Sequence, residues 1–393
     1  MIFEWLIIGG GIHGVHIAAR LIDEAGVKAE NIRIVDPGKN LLERWKSCTE
    51  TTGMGFLRSP SVHNLATEPM SLMALAESLD VPKSELFAPP YNRPSLQFFN
   101  EHCARVISRF NLDTLHVQGR AINAKMTCDY SQIELCSGEE IFAKNVVLAM
   151  GASEQPFWPK WANNGGDRVH HIFDPKFQGM PTKRESIAVV GGGISAGQVA
   201  LRLQKQGNEV HLVSRHEIRE HQFDSEPGWL GPRYMNGFSK EKDFNNRRKM
   251  ITHARHRGSL PPDVNNSLQQ AIICDQITRH ECGISNLKLV ADGICLEMND
   301  GSTLQVERIL LATGFATNRP GGEFVDQLIE TASLPCSECG YPIVDETLCW
   351  HPGIYVSGPL AELELGPSSR NISGARRAAK RIVKVARSDA LTF

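Results

Sequence analysis

One local pattern, present twice, constrains this chain more than any other feature: an apolar strand, a glycine loop, a helical stretch and a second strand. The first copy runs from Trp5 to Ile8, through GGGIHG at Gly9 to Gly14 and helically spaced residues Val15 to Ala25. It closes on a strand, Ile32 to Val35, that ends at Asp36. The second runs from Ile187 to Val190, through GGGISAG at Gly191 to Gly197 and a helix Gln198 to Gln206. It closes on Glu209 to Val213, which ends at Ser214 and Arg215. Each copy is a β-turn-α-β unit, and such units build sheets of parallel strands covered by helices.

The continuations repeat as well. After the first unit, Ile122 to Phe142 alternates apolar and polar residues around a Ser137-Gly138 turn and leads into an apolar strand, Val146 to Met150, ending at Gly151. After the second, Leu287 to Leu304 does the same around Asp300-Gly301 and leads into Ile309 to Ala312, ending at Gly314. The repetition predicts an α/β fold with two Rossmann-like dinucleotide-binding domains. The first domain spans 1–182, the second spans 183–309 and is inserted into it, and 310–393 returns to the first. Residues about 41–112, rich in proline, methionine and aromatics, form a helical insertion placed to cover an active site.

The loops carry the chemistry. In Gly9-x-Gly11-x-x-Gly14 the first glycine permits the tight turn, the second lets backbone approach a pyrophosphate, and the third lets helix pack on strand. The unpaired amides and partial positive charge of the helix N-terminus then face the phosphates. A lone fingerprint of this kind is weak, but here it lies between strand and helix. Asp36 follows 22 residues after Gly14, where a carboxylate can accept hydrogen bonds from an adenosine ribose. The loop therefore reads as a dinucleotide site, and FAD is the dinucleotide expected there. The second loop reads Gly191-x-Gly193-x-Ser195-Ala196, with alanine accepted at the third position, and its second strand ends in Ser214-Arg215-His216 instead of an acid. Supplying the Arg215 guanidinium where a carboxylate would stand favours a 2′-phosphate, hence NADPH over NADH.

Further stretches carry a family likeness. They are RWKSCTETTGMGFLRSPSVHNL (Arg44 to Leu65), NVVLAMGASEQPFWP (Asn145 to Pro159), HQFDSEPGWLGPRYMNGF (His221 to Phe238), RILLATGF (Arg308 to Phe315) and GIYVSGPLAELELGPSSRNISGARRAAKRI (Gly353 to Ile382). With the two loops they resemble the two-dinucleotide-binding-domain flavoproteins, nearest the N-hydroxylating (lysine and ornithine hydroxylase-like) and Baeyer–Villiger-like monooxygenases. The resemblance implies that Gly151 and Gly314 lie where chain passes between the domains near the flavin, Met150 replacing the usual threonine. It implies Trp45, Met54 and Arg58 near the isoalloxazine, and Gly358 and Asn371 in the C-terminal flavin segment. There a helix beginning near Ser373 aims its N-terminus at the flavin pyrimidine edge. Gly358-Pro359 departs from the glycine-aspartate pair common there, and the Baeyer–Villiger signature is only hinted at by Asp167 to His171 and Phe173. Asn236 is implied as a substrate or nicotinamide contact. The activity implied is reduction of FAD by NADPH and transfer of one oxygen atom from O2 to a small nucleophile such as an amine or sulfur compound, with no dedicated side-chain acid or base required. Two alternatives stay open: an FAD-dependent reductase passing electrons to a quinone, disulfide or protein acceptor, and a protein that senses NADP(H).

Other patterns compete less well. Cys336-x-x-Cys339 reads as a redox dithiol, half of a zinc site or plain thiols, and no second CxxC completes a zinc set. His170, His171, His211, His216 and His221 follow no H-E-x-x-H spacing, so no metal is expected. Ten scattered cysteines fit free thiols in a reducing, cytoplasmic setting. With 42 basic and 44 acidic residues the net charge of -2 draws the chain to neither nucleic acid nor anionic lipid, which leaves small-molecule substrate and oxygen as partners. Arg247 to Gly258 and Ala375 to Arg387 are locally basic; the latter aligns Ala375, Ala378, Ala379, Ile382, Val383 and Ala386 on one face, as a docked helix does. No stretch approaches the ~20 apolar residues of a membrane span, and the N-terminus lacks a signal-peptide pattern. Whether the chain forms a homo-oligomer is left open.

Overall fold

The computed structural model describes residues 1–390; positions 391–393 of the expected return segment lie outside the described residues. The first unit folds as β1 (Ile2–Ile8), α1 (Ile12–Asp23) and β2 (Ile32–Asp36). β1 pairs in parallel with β2, Ile7 opposite Ile34, and with Glu140–Leu148, Ile7 opposite Val147. Across the sheet the order is Cys349–His351, Ile354–Val356, Glu140–Leu148, β1, β2, His116–Gln118, with Ala121–Met126 and Ser131–Leu135 attached as an antiparallel meander. From Trp5 to Ile8 β1 is apolar and buried because both faces are covered there. Trp5 and Ile7 enter a core shared with α1, Phe98 and Phe99 of the insertion, and Ile382 and Val383 of the C-terminal helix. Leu6 and Ile8 enter the opposite core with Leu135 and Phe324. That C-terminal helix, Ile372–Ala390, docks as its spacing predicts: the six aligned apolar residues are each at most 2% exposed.

The second unit gives a five-stranded, all-parallel sheet in the order Thr278–Glu281, Glu209–Ser214, Ser186–Val190, Arg308–Leu311, Val169–His171. Its loop leads into the helix Ile194–Lys205. The edge strand Val169–His171 comes from chain that precedes residue 183.

The two excursions differ in a way the repeat does not show. In the first module the apolar strand expected at Val146 to Met150 is the end of one continuous strand, Glu140–Leu148, that begins in the meander and runs into the sheet centre. In the second, the strands Ile284–Val290, Gly293–Met298 and Thr303–Val306 form a separate antiparallel sheet. The chain breaks at Glu307, whose amide donates to Ser186 O at 2.9 Å, before Arg308–Leu311 starts.

The insertion is largely helical: α2 (Glu43–Thr52), then Ser71–Glu77 and Leu96–Arg109, with a small hairpin Phe87–Ala88/Arg93–Pro94. α2 is pinned at both ends. Arg44 Nη2 donates to the Ser153 and Phe173 carbonyls, on the chain that leaves the first module. At the other end, Arg202 of the helix Ile194–Lys205 donates to the Glu50 and Thr51 carbonyls, satisfying acceptors that a helix C-terminus leaves unpaired. The two connections between the modules also bond to each other: Phe157 N donates to Gly314 O at 2.9 Å and Ala316 N to Gln155 O at 2.8 Å.

Candidate functional site

A cleft of about 2260 Å3 lies between the modules and under the insertion. Small-molecule pockets commonly hold ~300–1,000 Å3, so this one has room for two extended nucleotides and a small molecule beside them. Gly9, Gly11, Asp36, Trp45, Met54, Arg58, Gly151, Gly191, Gly193, Ser195, Arg215, Gly314, Gly358 and Asn371 all line it. Gly14 and Ala196 lie buried beneath their loops.

The first loop is shaped by what a side chain would hit. Gly9 has φ +116°, and a Cβ there would stand 2.6 Å from Ala149 O; one on Gly14 would stand 1.8 Å from Gly9 O. A Cβ on Gly11 would meet nothing within 4 Å, because that face opens on the cleft. Gly11 is the N-cap of α1 and supplies no capping side chain, so the helix presents bare amides to the cavity. Asp36 Oδ2 accepts from Gly10 N at 2.7 Å and Oδ1 from Gly38 N at 2.9 Å. The carboxylate therefore fixes the loop while each oxygen keeps a lone pair for a further donor.

The second loop repeats this geometry. A Cβ on Gly191 would lie 2.4 Å from Ala312 O and 3.2 Å from the Ala196 methyl, and Gly193 is the uncapped N-cap of Ile194–Lys205. Arg215 is exposed at the end of its strand, and Arg219 and Arg257 line the same region. The His216 ring packs against the loop, 2.8 Å from where a Gly192 Cβ would stand. This rim is strongly cationic, whereas the equivalent rim of the first loop carries Asp36.

Between the loops, Trp45 Nε1 donates to Asn100 Oδ1 at 3.0 Å, and Trp45 and Met54 pack against the first core. Arg58 donates to Gln222 O at 2.8 Å, His221 O at 2.6 Å and Ser259 Oγ at 2.9 Å, so it ties the insertion to the second module. His13, inside the first glycine loop, also lines the cleft; its Nδ1 meets Ser357 Oγ at 2.8 Å and its buried Nε2 has no partner in the chain. Burial pushes the His13 imidazole down to about 4, the backbone carbonyls of Asn371 and Arg370 opposing it only in part, so it is neutral near pH 7. Asn371 Nδ2 donates to Asp224 Oδ1 at 3.0 Å, and Arg255 stands 3.8 Å from Asp224 Oδ2. Burial pulls the Arg255 guanidinium below its ordinary range and Asp224 only partly restores it.

Two sequence expectations need correction or placement. Asn236 does not line the cleft: it is exposed on the helix Pro232–Lys240, whose buried side carries Met235 and Phe238. Burial of Met235 and Phe238 leaves Asn236 on the outer side of that helix, which spacing alone did not reveal. Cys336 and Cys339 also lie off the cleft; Cys48 and Cys282 line it but pack against cores on opposite faces of the second sheet. His13, Asp224, Arg255 and Arg257 were not singled out from sequence. A histidine within a glycine fingerprint and a basic run ending at Gly258 were the available signals. Among the described residues, no three His, Cys, Asp or Glu cluster as metal ligands, and no helix is long and apolar enough to cross a membrane.

A family model described as pyridine nucleotide-disulphide oxidoreductase matches residues 6–257. An uncharacterized oxidoreductase, CzcO of Bacillus velezensis, is 22% identical over 324 residues, covering 80% of this chain and 81% of that protein. The fold is similar to ornithine hydroxylase (PvdA) from Pseudomonas aeruginosa, with TM-score 0.77 at 16% identity over 99% of this chain and 100% of that one. It is also similar to bacillithiol disulfide reductase Bdr (YpdA) from Bacillus cereus, with TM-score 0.64 at 18% identity over 99% and 100% of the two chains.

Proposed function

The chain belongs to the pyridine nucleotide-disulphide oxidoreductase family, and from that premise we propose that it is an FAD-dependent, NADPH-consuming monooxygenase of the N-hydroxylating type. In this reading FAD lies on the first loop, its pyrophosphate over the amides at Gly11 and its ribose at Asp36, while Gly9 and Gly14 keep helix and strand close. NADPH lies on the second loop, its pyrophosphate at Gly193 and Ser195 and its 2′-phosphate at Arg215, with Arg219 and Arg257 adding charge. We take 1–182 with 310–393 as the FAD-binding domain and 183–309 as the inserted NADPH-binding domain, save that the strands Val169–His171 and Arg308–Leu311 complete the sheet of the inserted domain. The flavin, when bound, supplies hydride acceptance and oxygen activation. The protein's part is positioning and exclusion of water: Gly151, Gly314, Gly358 and Asn371 form the floor of the central cleft. Trp45 and Met54 close its insertion side and Arg58 holds that insertion against the second module. Neutral His13 offers Nε2 as a hydrogen-bonding atom without adding charge.

One observation carries the choice of monooxygenase over dithiol reductase. The cleft holds both nucleotide loops and an apolar cover, but its two cysteines pack on opposite sides of a sheet and the chain's C-x-x-C pair lies elsewhere. The likeness in fold to an ornithine hydroxylase supports the same reading. The test is to reduce the purified protein anaerobically with NADPH and then admit oxygen in the presence of a panel of small amines and thioethers. Oxygenated product in step with NADPH consumed is expected. Reoxidation that releases only hydrogen peroxide with every nucleophile, together with rapid turnover on a quinone or disulfide, would establish the reductase instead.

A further inference from the structure

We propose that Cys336 and Cys339 form a peroxide-responsive dithiol, in which Cys339 is the thiolate oxidised first and Cys336 resolves it to a disulfide, loosening a polar network that borders the cleft. The pair sits in one tight hairpin: Ile343 N donates to Pro335 O at 3.0 Å, Ser337 N to Tyr341 O at 2.9 Å and Gly340 N to Ser337 O at 2.8 Å. Both thiols are half-buried, within reach of a small oxidant. They are not equivalent. Arg248 Nε donates to Cys339 Sγ at 3.4 Å, and Ser337 Oγ lies 3.0 Å from the same sulfur. A thiolate can only accept, so the single Ser337 hydroxyl proton turns toward it when Cys339 ionises. Burial pulls the Cys339 thiol upward, but the bonds from Ser337, Arg248 and the Tyr341 amide outweigh it and hold the thiol below its usual range. Burial pushes the Cys336 thiol up, with too little to offset it. A low, cation-paired thiol three residues from a higher one in the same hairpin is the arrangement of an attacking and a resolving cysteine. The Arg248 guanidinium on the sulfur also disfavours a metal cation there, and among the described residues no third ligand stands nearby.

The oxidant is hydrogen peroxide. The Cys339 thiolate attacks one peroxide oxygen; the S–O bond forms, the O–O bond breaks, and hydroxide leaves to take a proton. Sulfur is oxidised by two electrons and peroxide reduced. Cys336, giving up its proton, then attacks the Cys339 sulfur; the S–S bond forms, the S–O bond breaks, and the second oxygen leaves as water. Two thiols and one peroxide give one disulfide and two waters.

The disulfide has no charge to offer Arg248. That arginine also pairs with Glu362, which is 1% exposed and in turn binds Arg370 Nε at 2.6 Å; Arg370 lines the cleft next to Asn371. Arg248 lies 4.0 Å over the Tyr341 ring, in the same hairpin. The Tyr341 hydroxyl is within hydrogen-bond distance of the carbonyls of the cleft-lining residues Thr317 and Asn318, at 3.1 and 3.2 Å, and accepts from Arg370 at 2.9 Å. Oxidation at the hairpin therefore reaches the cleft through two bonded routes. Only the rate readout below rests on the function proposed above.

The flavin-loaded protein is treated with hydrogen peroxide, quenched by alkylation and mapped by peptide mass spectrometry, with the exposed Cys128, Cys136 and Cys274 as internal references. The Cys336–Cys339 peptide is expected to lose two hydrogens roughly tenfold or more faster than the references oxidise. Cys336→Ser should leave a dimedone-reactive Cys339, and Ser337→Ala, which spares the Arg248 network, should slow Cys339 oxidation several-fold. Flavin reduction by NADPH should change several-fold on oxidation, recover with dithiothreitol and be insensitive to peroxide in Cys339→Ser. Oxidation no faster than the references, or a disulfide to another cysteine, overturns the dithiol; a disulfide that leaves the reduction rate unchanged overturns its coupling to the cleft. A protein that makes no oxygenated product fails the proposed function while leaving the mass-spectrometric result intact.

Discussion

Asp36 accepts from the Gly10 and Gly38 amides while facing the cleft, so its removal loosens the loop and would delete the acceptor proposed for the ribose. Leaving buried donors unpaired costs ~1–3 kcal/mol. Asp36→Ala should therefore weaken flavin binding roughly tenfold to a hundredfold, read by titrating flavin fluorescence. Arg215→Ala is expected to raise KM for NADPH roughly tenfold or more and leave NADH within about twofold, since only the former carries the 2′-phosphate. Equal losses for both nucleotides would remove Arg215 from phosphate recognition. These two residues were legible because a strand end following a glycine loop has a fixed place. Asn236 was not, because its direction is set by how Met235 and Phe238 bury, and Arg255 was hidden in a run that reads as a charged surface.

Within the first unit the glycines separate folding from binding. A methyl at Gly14 would overlap Gly9 O, so Gly14→Ala should yield protein with α1 displaced and little soluble, folded material. Gly11→Ala meets no protein atom and should melt within a few degrees of the parent, yet lose flavin because the methyl occupies the phosphate approach. Thermal melts with and without added FAD distinguish the two; a Gly11→Ala protein that binds FAD normally would place the pyrophosphate elsewhere. The glycine loops and their flanking strands and helices were readable because each step has a steric reason. The long strand Glu140–Leu148 was not, since its start alternates in the half-exposed meander and its end is uniformly apolar, so one element carries two patterns.

Over the whole molecule, burial lowers His13, His63, His102 and His171 to about 4 and His16 to about 3. The unfolded chain binds these protons near pH 6.5, so between that value and 4 it holds more protons than the native state, and stability falls as pH drops through this window. Each shift is worth about 3–5 kcal/mol at most, against ~5–15 kcal/mol for a typical domain, so acid unfolding is expected before pH 4 is reached. Melting temperatures from pH 8 to 4 should decline steadily below about 6.5; a flat profile to pH 4.5 would mean the histidines titrate without cost. At this scale the repeat made the two-module plan legible. The contribution of Val169–His171 to the second sheet was not, because three residues carry no periodicity of their own. The bonded connections at Phe157–Gly314 and Gln155–Ala316 have a mechanical meaning. A body on one cord swivels about any axis. Two cords laced together make a strap, which folds easily across its width and resists twist, so the softest excursion of the second glycine loop relative to the first is an arc in one plane.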